Sequence, residues 1–102
     1  MQFKRSVEMT LKVIGGKWKL VILCHLIDGV KRFGELKREM PDITQKMLTQ
    51  QLRELEQDGI IDRKVFNQVP PKVEYSITDY GLTLKEVLDV MSEWGLHHVE
   101  HS

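Results

Sequence analysis

Turn-forming residues cut this chain at short intervals, and their spacing constrains the fold more than any other feature. Gly15-Gly16, Asp28-Gly29, Pro41, Asp58-Gly59 and the run Asn67-Gln68-Val69-Pro70-Pro71 each stop the segment before them. Glycine reaches backbone angles closed to other residues, and proline lacks the amide that a helix needs. Only short elements fit between such breaks.

The pieces differ in period. Val7, Leu11, Val13 and Ile14 predict a short first helix that stops at Gly15-Gly16. Trp18, Val21, Ile22, Cys24 and Leu26 make the second segment apolar on most sides, which predicts a helix at the centre of the fold with Cys24 in the core. Phe33, Leu36 and Met40 predict a short amphipathic helix over 32–40, halted by Pro41. Thr44 is a good N-cap, and Ile43 with Leu48 can form a hydrophobic staple, so a fourth helix is expected from Thr44 to about Gln57. Segments 60–66 and 72–77 are rich in β-branched and aromatic residues, with Val73, Tyr75 and Ile77 alternating against Lys72, Glu74 and Ser76. They read as a hairpin with its tip at 67–71. After Thr78, the positions of Leu84, Val87, Leu88, Met91, Trp94 and Gly95 predict one long helix with a wide apolar stripe.

Three helices, a short turn, a fourth helix, a hairpin and a closing helix are the order of a winged helix-turn-helix. The expected fold class is therefore mainly α with a small β-hairpin, built as a single domain over 1–102. A chain of 102 residues with 41% apolar content supports one core. The single cysteine forms no internal disulfide, and no apolar run nears the ~20 residues that span a membrane. No signal-peptide pattern opens the chain. These features predict a cytoplasmic protein with no membrane association.

Lys plus Arg and Asp plus Glu both number 15, so the total charge is uninformative. Its distribution says more. Between residues 31 and 53, Lys31, Arg32, Lys37, Arg38, Lys46 and Arg53 outnumber Glu35, Glu39 and Asp42 by three. From Asp79 onward, five carboxylates face Lys85 alone. A basic middle and an acidic end act on partners through their local fields.

The fourth helix carries the functional signal. At about 100° per residue, Gln45, Lys46, Thr49, Gln50 and Arg53 share an arc of roughly 140°, while Met47, Leu48, Leu52 and Leu55 occupy another. The polar arc has amides, a hydroxyl and two cations but no carboxylate. Gln pairs twice with adenine, Arg twice with guanine, and Lys or Thr reaches guanine or phosphate. Glu54, Glu56 and Asp58 lie past the part that would enter a groove. Lys72, beside Asn67 and Gln68 in a hairpin stiffened by Pro70-Pro71, could touch a phosphate or the minor groove, and Lys31 and Arg32 could hold a phosphate near the third helix. A protein-binding winged helix would show apolar anchors on this face instead.

Other chemistries find little support. Gly15-Gly16-Lys17 is no phosphate loop, because Leu11 stands where its first glycine belongs and Trp18 where Ser or Thr is needed. Cys24 and His25 are helix neighbours that point about 100° apart, a poor metal pair. His97 and His101 have metal-compatible spacing, but Glu100 points elsewhere and no third ligand completes the set. No catalytic residues, cofactor or metal site are expected.

Five stretches carry a family resemblance. They are Val13-Ile14-Gly15-Gly16-Lys17-Trp18-Lys19, Lys31-Arg32-Phe33-Gly34-Glu35-Leu36, the helix from Ile43 to Leu55, Val69-Pro70-Pro71-Lys72-Val73-Glu74-Tyr75, and Thr78-Asp79-Tyr80-Gly81. Together they resemble the HxlR family of bacterial transcription regulators over nearly the whole chain. The resemblance implies a homodimer built by N- and C-terminal helices, with the helix from Thr44 to Arg53 in the major groove and a wing at 69–72 against DNA. Many relatives carry a cysteine shortly before the first helix, and in some it senses oxidants or electrophiles. Ser6 stands at the matching place, and a serine hydroxyl forms no thiolate at neutral pH, so that mode of sensing is not expected. The stripe of Leu84, Val87, Leu88, Met91 and Trp94 exceeds what a small domain covers by itself and is the expected dimer seam. Expected partners are thus double-stranded DNA, a second copy of the chain and an unidentified small-molecule effector.

Overall fold

The breakers predict where the elements end, and a computed structural model describing residues 2–101 follows them closely. Helices α1 (Gln2–Ile14) and α2 (Lys19–Ile27) lead to strand β1 (Lys31–Arg32) and helix α3 (Phe33–Glu39). Helix α4 (Gln45–Gln57), strands β2 (Ile61–Phe66) and β3 (Lys72–Ile77), a single helical turn α5 (Asp79–Leu82) and α6 (Lys85–His101) complete the chain.

Helix α4 is set by its ends. The Met47 amide donates to Thr44 Oγ1 at 3.0 Å, and Ile43 and Leu48 are both buried, so the cap forms and both staple residues are in the interior. At the other end Gly59 takes φ 73°, its amide donates to the Glu56 carbonyl, and the Ile60 amide donates to the Leu55 carbonyl. This is a Schellman stop, and it turns the chain straight into β2.

The sheet is antiparallel in the order β1-β3-β2. The hairpin register runs from Ile61 opposite Ile77 to Phe66 opposite Lys72. Strand β1, absent from the sequence pattern, pairs Lys31 with Tyr75 and Arg32 with Glu74. Two residues are too few to show an alternation, so only the presence of β3 defines that strand.

The core joins Ile22, Leu23 and Leu26 of α2, Leu36, Met40 and Ile43 of α3 and the turn after it, Leu48, Leu52 and Leu55 of α4, and Ile60, Ile61 and Tyr75. Three expectations need correction. Helix α2 buries a single stripe of Lys19, Ile22, Leu23 and Leu26, and Cys24 lies opposite it, exposed, with Val21 on the same open side. The apolar composition of α2 concealed that one-sidedness. Helix α1 starts earlier than its apolar pattern required, so Ser6 falls inside it, where Oγ donates to the Gln2 carbonyl at 2.9 Å. The closing helix is broken in two. Thr78 Oγ1 accepts from the Gly81 amide at 2.9 Å and donates to the Gly59 carbonyl at 2.7 Å, capping α5 against the end of α4. A Cβ at Gly81 would fall on the Ile60 carbonyl oxygen, so only glycine permits this approach.

Candidate nucleic-acid interface

Because α4 turns Leu48, Leu52 and Leu55 inward, the remaining arc faces out. Gln45, Lys46, Thr49, Gln50 and Arg53 line one shallow concave surface, as their spacing predicts. Thr49 Oγ1 donates to the Gln45 carbonyl at 2.9 Å, which leaves the hydroxyl oxygen able to accept. Thr44 has its hydroxyl engaged as the N-cap. Lys46 and Arg53 are exposed.

Two features of this surface escaped the sequence reading. Arg63 of β2 lines a cleft with Thr49, Arg53, Glu56 and Tyr75, which adds a second guanidinium beside Arg53. Only the strand register could reveal it, since Arg63 pairs with Tyr75 across the hairpin. Glu54, set aside as lying beyond the groove, borders Gln50 instead and accepts from its side-chain amide at 3.2 Å. Glu54 also meets the ammonium of Lys19 at 2.7 Å, and Lys19 is 7% exposed. Hydrogen bonding from Lys19, then from Gln50, holds the Glu54 carboxyl below the ordinary carboxylate range.

Of the outlying cations, Lys31 and Lys72 are engaged within the fold. Lys31 bonds Glu39 at 3.0 Å, and Glu39 also takes His25 Nδ1 at 2.8 Å, so β1, α2 and the end of α3 meet at one carboxylate. The Lys31 hydrogen bond lowers the Glu39 pKa, and the same bond raises that of Lys31. Arg32 is exposed ahead of α3, and its backbone amide donates to the Glu35 carboxylate at 3.0 Å. Lys72 is drawn back from the wing tip: it lies 3.2 Å from Glu74 and over the Phe66 ring at 4.5 Å.

The expected seam on α6 divides. Leu84 and Leu88 pack against the chain's own core, whereas Val87, Met91 and Trp94 are exposed. Val90, Leu96 and Val99 add to the open apolar surface, and α1 exposes Phe3, Val7, Met9 and Leu11. Trp94 stacks on His98 with ring centroids 5.0 Å apart.

Residues 13–102 match the family described as HxlR-like helix-turn-helix. The chain belongs to that family. It is 64% identical to the HTH-type transcriptional regulator YtcD of Bacillus subtilis, over 96% of this chain and 78% of that one. It is 56% identical to the regulatory protein MalR of Fusobacterium mortiferum, over 92% of this chain and 90% of that one. Among solved structures, the redox regulator HypR in its reduced form superposes with a TM-score of 0.89 at 56% identity, covering 95% of this chain and 99% of the other. The fold is thus the winged helix-turn-helix of HxlR-like transcriptional regulators, and the relatives are regulators by name. No described helix is long and apolar enough to cross a membrane. Within this family frame, the stretch Thr78-Asp79-Tyr80-Gly81 has a physical meaning in this chain: the threonine caps α5, and the glycine lets it reach Ile60.

Proposed function

We propose that two copies of this chain pair through α1 and α6 and read a pseudo-palindromic operator in double-stranded DNA. Helix 44–57 lies in the major groove, and the wing at 67–72 lies on the adjacent backbone or minor groove. The reading rests on one observation, the concave face of Gln45, Lys46, Thr49, Gln50 and Arg53, whose lining side chains are amides, a hydroxyl and two cations, with the bordering Glu54 carboxylate already held by Lys19 and Gln50. Arg63 extends that face toward the wing. Pairing is supported by the open apolar surfaces of α1 and α6, which a second copy would remove from water. Binding to chromosomal DNA makes the cytoplasm its place of action, and a small-molecule effector is the expected control.

Genome-wide footprinting of the bound protein, followed by titration on the recovered site, tests the proposal. Half-sites spaced by one turn, about 34 Å, or a multiple are expected. Arg53→Ala should cost about 1 to 3 kcal/mol on that site and less on random DNA. Equal losses on both would remove base reading from Arg53.

A further inference from the structure

A lysine on the buried stripe of a helix needs a reason. Lys19 shares the inward face of α2 with Ile22, Leu23 and Leu26, where an apolar side chain would pack without an electrostatic cost. Its ammonium instead reaches α4 and meets Glu54 Oε1 at 2.7 Å. The other Glu54 oxygen accepts from Gln50 Nε2 at 3.2 Å. A chain of contacts therefore runs from the interior to the outward face of α4.

The chemistry of that chain fixes a direction. A carboxylate only accepts, so the edge of the Gln50 amide nearest Glu54 must be its NH2 group. One N–H is then committed to Glu54, and the amide oxygen and second N–H remain for a partner. That pair matches the N6 donor and N7 acceptor of adenine. An amide without such an anchor can turn over and present its two ends in either sense.

Resting on the reading of α4 as the DNA-binding helix, we infer that Lys19 and Glu54 are positioning residues that set the amide orientation of Gln50 and so its preference for adenine over the other bases. Lys19 fixes Glu54 from the buried side, and Glu54 fixes Gln50.

The test is selection of the full-length protein on a pool of duplex DNA with randomised positions, followed by titration on the four single-base variants of the selected site. Gln50→Ala identifies the position that Gln50 reads. Glu54→Gln, which keeps the shape but adds a donor, and Lys19→Met should each lower the adenine preference there by about tenfold, with other positions unchanged. Lys19→Arg should retain it. Thermal melts confirm that each variant is folded, and Glu54→Gln carries the test alone if Lys19→Met does not fold. Adenine preference unchanged in Glu54→Gln, or a loss uniform across all positions, overturns the inference while leaving α4 as the reader. No relaxed position in Gln50→Ala overturns it together with base reading by that residue.

Discussion

The middle of this molecule and its two ends solve different packing problems. From α2 to β3 the chain buries a continuous core of twelve residues, and the fold there is satisfied within one copy. Helix α1 buries Ile14 alone, and no residue of α6 is fully buried. The result is an elongated shape of 50 × 32 × 23 Å with a radius of gyration of 15.1 Å, where a compact chain of this length gives about 13 Å. The body carries its own stability. The terminal helices carry apolar surface that one copy leaves open, and this is where the proposed second copy would contribute most.

The contrast is sharpest under substitution. Leu52, 1% exposed on the core side of α4, should destabilise the body by about 2 to 5 kcal/mol when changed to alanine, read as a shift in the urea midpoint. A value near zero would mean that the core is not organised around α4. Val87→Asp combined with Met91→Asp should leave the body folded, since both side chains are exposed, while sedimentation reports monomers and operator affinity falls well over tenfold. A persistent dimer would place the seam elsewhere. A folded monomer with undiminished affinity would show that pairing is unnecessary for binding.

Acid should act chiefly on the body. Glu39 and Glu54 have their pKa values lowered by hydrogen bonds from Lys31 and Lys19 respectively. Their stabilisation is therefore complete above the ordinary carboxylate value near 4.5 and is lost as pH falls through the lower folded values. Urea midpoints measured from pH 6 down to pH 3 should fall for the parent and fall less steeply for Glu39→Gln. Equal slopes would show that the Lys31 to Glu39 contact contributes nothing to folding.

Much of this arrangement was legible in the sequence because its signals are local. A cap, a staple and a glycine stop act within a few residues, so α4 and its outward face of Gln45, Lys46, Thr49, Gln50 and Arg53 follow from spacing alone. The hairpin follows from alternation interrupted at 67–71. Tertiary structure decided what depends on residues distant in the chain. Strand β1 exists only because β3 lies beside it. Cys24 faces out because the inward stripe of α2 goes through Lys19, Ile22, Leu23 and Leu26, and a helix apolar on nearly every side gives no local sign of which face the body will cover. The closing helix breaks at Thr83 and Leu84, just after Gly81 lies against Ile60, a contact that no periodicity encodes. Lys19 and Glu54, far apart in sequence, become an ion pair only when α2 packs on α4, and this long-range packing sets the surroundings of Gln50.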